Sequence, residues 1–467
     1  MLLKYFYDKL LAQASYMVGS ADTGEALVID PARDISPYLK VAREENLRIT
    51  HIAETHIHAD FVSGSRELAA ETGAKIHLSA MGGDDWQYAF PESVTLLHDG
   101  DSWMVGEIRV EAIHTPGHTP EHLIYQITDT KLADKPLGLF TGDCLFVGNV
   151  GRPDLLEEAA GHMDTKEPGA RDQFRNIQRL KSMPDYLQIW PGHGAGSACG
   201  KELGSMPNST LGYEKLFNPA FQFTDEAAFV KWLLDDQPEV PRYFGHLKQL
   251  NKTGAPLLAD LPEPMHIHNR EALEKILQMF LVFDTGSVEQ FAARHIPGTV
   301  NVPLSSERFN THIGWYVDYD LPTYIICDEG ELPRIINMLR AIGVDDVPGY
   351  FTPEVVAQYN GIVRSINVSQ ASNLLQAGKA TVIDVRDTSE YRTEHIPQAV
   401  SLPMGSLFKQ LDRIPRSKQV IVHCGGGVRS QIVLSMLQRV GYTNIRNLQG
   451  GIDAWKNAGY PTETNHN

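Results

Sequence analysis

Four short segments of the chain concentrate histidine and acidic residues of the kinds that bind metal ions. They are residues 55–60, 114–119, 141–143 and 191–194. Imidazole and carboxylate groups are common protein ligands for zinc and for iron. A lone histidine is more often an ordinary surface or core residue, but coincidence poorly explains four such segments in one region. The pattern therefore predicts a metal centre built from side chains that are distant in sequence.

A cysteine loop in the last part of the chain has the composition of an anion-binding site. It consists of Cys424 and the six residues that follow it, Gly425, Gly426, Gly427, Val428, Arg429 and Ser430. Glycines allow successive backbone N–H groups to point into one nest, and a following helix adds the positive end of its dipole. With the arginine, this arrangement favours a thiolate, which accepts sulfur and then holds it as a persulfide.

The segment that ends in this loop is the second copy of an internal repeat. Residues 283–304 align without gaps on residues 383–404, an offset of 100 positions. Each copy continues to a short apolar run that ends in cysteine, at Cys327 and Cys424. In the first copy an acidic segment, residues 328–331, replaces the glycines. Acidic neighbours raise a thiol pKa and repel anionic donors. We therefore expect the first copy to be inactive and to serve as a structural or docking module.

Apolar runs that are typical of buried strands precede the four metal-ligand segments defined above. They span residues 49–54, 108–113, 137–140 and 187–190. Strand ends in a layered α/β fold meet along one edge, so the polar side chains that follow these runs can converge. A proline-rich stretch over residues 237–265 then breaks the pattern and predicts a linker or terminal extension.

The length and composition limit the class of protein. The 467 residues are enough for about three domains, which we place at 1–262, 263–363 and 364–467. The 58 acidic against 41 basic side chains give a net charge of −17, which argues against nucleic-acid binding. We see neither a membrane-length apolar run nor a secretion signal. The four cysteines are widely separated, so we expect a cytoplasmic protein without disulfides.

The four metal-ligand segments resemble the signature of the metallo-β-lactamase fold, in which THxHxDH, PGHT, TGD and PGHG follow one another. The resemblance implies an αββα sandwich with the metal at its edge. One position departs from the signature, because Phe61 stands where the family has a histidine. In the two-metal hydrolases of the family, that histidine holds a second metal together with the equivalents of Asp60 and His193. A phenyl ring cannot bind a metal, so we expect the second site to be vestigial.

The similarity is greatest to the persulfide dioxygenases, which carry a single iron. It implies one Fe(II) per chain, held by His56, His118 and Asp143, with His58 near the metal but not a ligand. Two histidines and one carboxylate leave positions on iron open for substrate and dioxygen. Cys199, which lies six residues after His193, is either a sulfur relay or a packing residue.

The Cys424 loop resembles that of the rhodanese sulfurtransferases. Cysteine-based phosphatases share this architecture but place five residues between cysteine and arginine, whereas four lie between Cys424 and Arg429. The whole chain thus resembles a fusion of a dioxygenase with an inactive and an active rhodanese. The expected fold class is α/β, with an αββα metallo-β-lactamase sandwich followed by two rhodanese-like α/β domains.

The resemblance implies a persulfide dioxygenase and thiosulfate sulfurtransferase that acts in sulfide detoxification. The expected partners are a glutathione-, coenzyme A- or bacillithiol-type persulfide, O2, sulfite and thiosulfate, and the expected state is a homo-oligomer. One alternative is a thioester hydrolase like glyoxalase II with a rhodanese appendage. Another is a sulfur-carrier protein without oxygenase activity. The thiol, the direction of the rhodanese step and the roles of Cys199 and Cys327 stay open on sequence alone.

Overall fold

The computed structural model describes residues 1–155, 157, 165–201, 203–235, 237 and 239–464. The chain divides into two compact units. Unit 1 comprises residues 1–261 with a short segment, residues 339–343, and unit 2 comprises the remainder from Pro262 onward. Among the described residues, no helix combines the length and apolar character needed to cross a membrane.

The first sheet of unit 1 has six strands that pair in chain order. They are β1 (Leu2–Asp8), β2 (Gln13–Ser20), β3 (Glu25–Ile29), β4 (Arg48–Ala53), β5 (Lys75–Ser79) and β6 (Thr95–Leu97). Pairing is antiparallel from β1 to β3 and parallel from β3 to β6. Two helices, α1 (Ser36–Glu44) and α2 (Ser65–Thr72), pack on its outer face.

The second sheet of unit 1 has the order β12-β11-β10-β9-β8-β7. Its strands are β7 (Ser102–Val105), β8 (Ile108–His114), β9 (Leu123–Asp129), β10 (Gly138–Gly142), β11 (Gln188–Pro191) and β12 (Ser209–Thr210). The described helices that follow are α3 (Lys166–Lys181), α4 (Leu211–Phe217), α5 (Glu226–Leu234) and α6 (Phe244–Thr253). Of these, α3 and α5 pack in the outer core of this sheet.

The two sheets of unit 1 face each other across a shared apolar core. Strand β2 shows how the layers form, because its residues alternate between two sides. Tyr16 and Val18 enter the core between the sheets, where Tyr125 and Phe140 of the second sheet also lie. Met17 enters the core beneath the helices instead. Every residue of β2 is consequently buried, and the predicted αββα sandwich is confirmed.

The strand assignments are confirmed at all four metal-ligand segments, which lie at the ends of β4, β8, β10 and β11. The expectation of a linker is wrong over part of residues 237–265, because this stretch includes α6 and a short 3-10 helix, Leu258–Asp260. Residue 238 lies outside the described part. The buried face of α6 includes Phe244 and Leu247, a helical spacing that neighbouring prolines obscure in the sequence.

Unit 2 contains two five-stranded parallel sheets with the same strand order. The first, β13-β17-β16-β14-β15, and the second, β18-β22-β21-β19-β20, follow one pattern, which confirms the internal repeat. The first has β13 (Met265–His266), β14 (Leu281–Asp284), β15 (Val300–Asn301), β16 (Thr323–Ile326) and β17 (Gly349–Phe351). The second has β18 (Ser365–Ile366), β19 (Ala380–Asp384), β20 (Val400–Ser401), β21 (Gln419–His423) and β22 (Ile445–Leu448).

Each sheet of unit 2 carries its own set of helices. The first set is α7 (Arg270–Met279), α8 (Val288–Ala293), α9 (Phe309–Gly314) and α10 (Leu332–Arg340). The second set is α11 (Val368–Gln376), α12 (Thr388–Thr393), α13 (Val428–Arg439) and α14 (Gly451–Asn457).

The histidines that the two repeats share are structural. The Nδ1–H of His295 donates to Phe291 O and that of His395 donates to Tyr391 O, both over 2.9 Å. Each imidazole also stacks on the aromatic ring four residues earlier. These contacts close the turn after a short helix in each module, so the repeated histidine needs no catalytic explanation.

The two modules of unit 2 are joined by polar contacts. Ser435 Oγ, on α13, accepts a hydrogen bond from Asn301 N of the first module over 3.1 Å. Arg439 at the end of α13 donates to Gly298 O and Phe280 O over 2.7 and 2.8 Å. The first module therefore supports the helix that follows the Cys424 loop.

Candidate metal centre and cysteine loop

Three residues from three strand ends converge on one point in unit 1. Donor atoms of His56, His118 and Asp143 lie within 4.8 Å of one another. His118 Nε2 is 3.4 Å from Asp143 Oδ2, and the ring centroids of His56 and His118 are 4.9 Å apart. All three side chains are buried. The structure thus places together the three residues that the resemblance implies as iron ligands.

Hydrogen bonds at Nδ1 hold both histidines in place. The Nδ1–H of His118 donates to Arg152 O over 2.9 Å. The Thr55 hydroxyl donates to Asp30 Oδ2 over 2.8 Å, so it accepts from His56 Nδ1 at 3.0 Å. Such outer contacts fix the tautomer of a metal-binding imidazole. Burial is the largest of the effects that lower the pKa of His56 and of His118 well below the usual value, which keeps both rings neutral.

Asp143 is positioned through its backbone, which leaves its carboxylate available. Its N–H donates to His122 Nε2 over 3.0 Å, and His122 Nδ1 is hydrogen bonded to Thr115 Oγ1 over 2.9 Å. Neither carboxylate oxygen of Asp143 has a hydrogen-bond partner among the described residues. Burial raises the pKa of Asp143 to about 6. A cation bound beside the carboxylate would offset this burial, so the donor set fits a metal ion.

Close backbone packing explains two glycines around Asp143. A methyl group on Gly192 would lie 2.7 Å from Asp143 Oδ1, and one on Gly151 would lie 2.0 Å from Asp143 O. Any larger residue at either position would displace the aspartate. The glycines therefore serve to bring two loops against the candidate ligand.

His58 belongs to a separate buried cluster. Its Nε2 lies 3.1 Å from both Asp30 Oδ1 and Glu54 Oε2, and its ring packs 4.4 Å from that of Phe61. Burial alone lowers the pKa of His58, but the Asp30 and Glu54 carboxylates raise it well above the usual value. His58 thus lies beside His56, with ring centroids 4.1 Å apart, and its Nε2 is paired with these carboxylates.

A second group of possible donors lies next to the first and includes a cysteine. Asp60, His193 and Cys199 have donor atoms within 4.8 Å of one another. His193 Nε2 is 3.2 Å from Asp60 Oδ2 and 3.5 Å from Asp143 Oδ1. From the sequence, Cys199 is a possible sulfur relay or a packing residue near the site, and the structure places it beside this pair. Burial, followed by the charges of Asp60 and Asp143, raises the pKa of Cys199 well above the usual value.

Helix α6 contributes residues to this region that the sequence analysis missed. Asn251 Nδ2 donates to His58 O and Phe61 O over 2.8 and 2.7 Å, and Asn251 Oδ1 accepts from Ser63 N over 2.9 Å. Lys248, on the same face of the helix, is also buried. A helical spacing of Leu247 with Asn251 was the available signal, but the surrounding prolines favoured a linker.

The Cys424 loop in unit 2 folds as a nest at the start of α13. Cys424 is 2% exposed and follows directly on β21. The N–H of Gly427 donates to Cys424 Sγ over 3.1 Å, and Ser430 Oγ lies 3.6 Å from the same sulfur. Gly427 has a φ of 117°, which favours glycine. Val428 begins α13, so the helix dipole is directed at the thiol.

The rest of the loop is shaped by neighbours outside it. Arg429 forms two hydrogen bonds to Glu390, over 2.5 and 2.8 Å, and lies 3.6 Å from Asp387. Its guanidinium is thus bonded to a carboxylate rather than to the sulfur. A methyl group on Gly426 would meet no atom within 4 Å, whereas one on Gly425 would first meet Arg429 Nη2 at 3.8 Å. Space for a sulfur donor therefore exists on the glycine side of the loop.

The corresponding cysteine of the first module lies in a different setting. A 3-10 turn, Glu329–Glu331, follows Cys327, where the second module has its glycine nest. Burial, followed by Asp328 and Glu331, raises the pKa of Cys327 to about 12. Burial also raises the pKa of Cys144 to about 12, so neither thiol has the surroundings of a nucleophile.

Two family models match this chain. Residues 8–193 match the metallo-beta-lactamase superfamily and residues 367–458 match the rhodanese-like domain. Among curated proteins, a hydroxyacylglutathione hydrolase of Rhizobium etli is 33% identical over 38% of this chain, and the match spans 60% of that relative's length. A probable polyketide biosynthesis zinc-dependent hydrolase of Bacillus velezensis is 25% identical over 44% of this chain and 84% of its own.

A solved structure extends the likeness further. The crystal structure of a metallo-beta-lactamase from Staphylococcus aureus subsp. aureus COL is 45% identical to this chain, with a TM-score of 0.70. The match covers 75% of this chain and 99% of that one. Because the similarity spans nearly all of that protein, this chain belongs to the metallo-beta-lactamase superfamily and carries a rhodanese-like domain at residues 367–458.

Proposed function

We propose that this protein is a non-haem iron(II) persulfide dioxygenase fused to a sulfurtransferase. It oxidises a low-molecular-weight persulfide to sulfite and thiol, and its rhodanese-like domain combines sulfite with sulfane sulfur to give thiosulfate. The observation that carries the proposal is the buried group of two imidazoles and one carboxylate, His56, His118 and Asp143, in a chain that also has a glycine-nested cysteine. This pairing suits sulfide detoxification.

The donor set is suited to iron because it leaves coordination positions free. Two histidines and one carboxylate are the ligand set of many iron(II) oxygenases, whereas zinc has no redox chemistry. Iron(II) held by these residues would supply the activation of dioxygen. The overall reaction balances as R–S–S⁻ + O2 + H2O → R–SH + SO3²⁻ + H⁺. The thiol carrier R is of the glutathione, coenzyme A or bacillithiol type.

The residues of the chain have defined tasks in this step. His56 and His118 keep Nε2 unprotonated because Thr55 and Arg152 engage each Nδ1. His122 fixes the backbone of Asp143, so that its carboxylate stays in place when substrate enters. The burial of the donors limits bulk water around the reacting sulfur, which strengthens every charge interaction there.

In the second step the Cys424 thiolate attacks the sulfane sulfur of a persulfide and releases the thiol R–SH. The resulting Cys424 persulfide anion lies at the Gly427 N–H and at the start of α13, both of which favour negative charge. Sulfite then takes the terminal sulfur, which restores the thiolate and yields thiosulfate. The same steps can run in reverse, so the direction depends on the supply of sulfite and persulfide.

A thioester hydrolase is the second candidate. The hydroxyacylglutathione hydrolase relative and the adjacent Asp60–His193–Cys199 group favour it, because two neighbouring metals could activate water. Against it stands Phe61, which packs on His58 and offers no ligand atom.

Metal analysis combined with oxygen uptake tests the proposal. Protein purified without oxygen should hold about one iron per chain and consume O2 with glutathione, coenzyme A or bacillithiol persulfide. His118→Ala should lose both metal and O2 uptake, while the matched variant Cys424→Ser should keep both and stop at sulfite. Two zinc ions per chain, no O2 uptake and cleavage of a hydroxyacylglutathione thioester would establish the hydrolase instead.

A further inference from the structure

Helix α6 brings one lysine into the interior beside the metal centre. Asn251 of this helix bonds to the backbone of the loop that carries His58 and Phe61. Lys248 precedes Asn251 by three positions, so both side chains lie on the same helical face. This face is buried and packs on the loop that follows His56. The helix lies beyond residues 8–193, which match the superfamily model.

The Lys248 side chain is largely buried, and its ammonium group has no hydrogen-bond acceptor among the described residues. The residue is only 7% exposed, and its Nζ lies 4.3 Å from the centre of the Trp86 ring. Within the described part of the chain, Lys248 has neither a hydrogen bond nor an ion pair through its side chain. A cation–π contact supplies part of the lost hydration. Lys248 Nζ is not one of the fully enclosed polar atoms without a partner, so a small ligand can reach this donor.

Burial lowers the pKa of Lys248 to about 8, and the charge of Glu121 raises it without forming a hydrogen bond to the ammonium. Glu121 accepts a hydrogen bond from Ile57 N over 2.8 Å, and its other oxygen has no partner among the described residues. Trp86, on which Lys248 packs, belongs to one buried cluster with Ile57. Ile57 directly follows the candidate ligand His56, so the lysine lies beside the candidate metal centre.

We propose that Lys248, which packs on the Trp86 ring, forms an anion subsite for the reacting sulfur group. The ligand is the anionic sulfur of the persulfide and then the sulfite that replaces it. This inference rests on the proposed function for the identity of the ligand, but the subsite is tested by binding alone. The absence of a bonded partner means that the ammonium can donate directly to an entering anion.

Sulfite binding to zinc-loaded protein measures the subsite without turnover, because zinc is redox-inert. Titration calorimetry should show that Lys248→Met weakens sulfite binding about tenfold or more while bound zinc is unchanged. Methionine keeps the apolar contact with Trp86, so Lys248→Met should also raise the melting temperature. Lys248→Arg should stay within about threefold of the parent. The matched control is Lys231→Met, an exposed lysine on α5, which should bind as the parent does.

Several results would overturn the inference. These are equal sulfite affinity in the parent and in Lys248→Met, no sulfite binding by the parent, or loss of zinc from Lys248→Met. If Lys248→Met does not fold, Lys248→Arg and Lys248→Gln are compared instead. Equally weak sulfite binding by these two variants would also overturn the inference. With persulfide as substrate, a rise in KM larger than the fall in kcat supports the subsite. If the parent binds sulfite but never consumes O2, and Lys248→Met loses sulfite binding, the subsite is retained and the dioxygenase is rejected.

Discussion

Arg429 and Glu390 form a bidentate ion pair beside the Cys424 loop, with N–O distances of 2.5 and 2.8 Å. Glu390 lies on α12, far from the loop in sequence. The pair brings the arginine close to the thiol while a carboxylate balances its charge. The loop therefore depends on a neighbour that loop motifs do not include.

The ion pair predicts an asymmetric response to mutation. Arg429→Ala leaves Glu390 unpaired near the sulfur, which disfavours the thiolate, so alkylation of Cys424 by iodoacetamide at pH 7 should slow about tenfold. Arg429→Ala combined with Glu390→Ala should recover much of the rate. Mass spectrometry of the alkylated peptide measures both variants, with the exposed Arg364→Ala as control. An equal rate in the single and double variants would contradict the coupling.

Asn251 is predicted to support metal binding from outside the ligand set. Asn251→Leu removes three hydrogen bonds to the loop of residues 58–63, which should lower the free energy of unfolding by about 2–4 kcal/mol and metal affinity by about 10–100-fold. Urea unfolding and chelator competition measure the two effects. Gln249→Leu, an exposed change on the same helix, is the control and should leave both unchanged.

The lowered pKa of His77 predicts that the protein loses stability in mild acid. Burial, followed by His51 and Lys75, lowers the pKa of His77 from 6.5 to about 4. Above pH 6.5 the His77 imidazole is neutral in both the folded and the unfolded state. Between pH 6.5 and 4 only the unfolded state takes up the proton, so stability falls as the pH falls, by about 3 kcal/mol in total.

The variant His77→Phe keeps the stacking with Trp103 but cannot take up a proton. The decrease in melting temperature between pH 7 and pH 4.5 should therefore be smaller for this variant than for the parent. Differential scanning calorimetry at several pH values measures the slope. His98→Gln, at an exposed histidine, serves as control, and an unchanged slope in His77→Phe would show that other groups dominate.

Gly451 is predicted to be required for the shape of the cysteine loop. It has a φ of 58°, and a methyl group there would lie 2.0 Å from Gly425 O and 2.3 Å from Cys424 O. Gly451→Ala should therefore lower the rate of thiosulfate formation at least about tenfold while bound metal is unchanged. Gly330→Ala is the matched control, because a methyl group at Gly330 in the first module meets no atom within 4 Å. Metal loss in Gly451→Ala would point to a global defect.

The location of both candidate sites could be predicted from the sequence. Each of the four metal-ligand segments lies at the end of a strand, so residue type and strand position indicated a metal centre, and the family resemblance implied His56, His118 and Asp143 as its ligands. The Cys424 nest is likewise contained in a few consecutive residues. The repeat at residues 283–304 and 383–404 predicted two like modules, because equal patterns of apolar residues fold into equal strand orders.

The choice of partners was decided only by the tertiary structure. His58 pairs with Asp30 and Glu54, Cys199 joins Asp60 and His193, and α6 brings in Lys248 and Asn251. Each of these contacts depends on the direction of a side chain and on the packing of elements far apart in the chain. Sequence spacing constrains contacts within one turn or strand, whereas long-range pairs are set by how the sheets and helices pack.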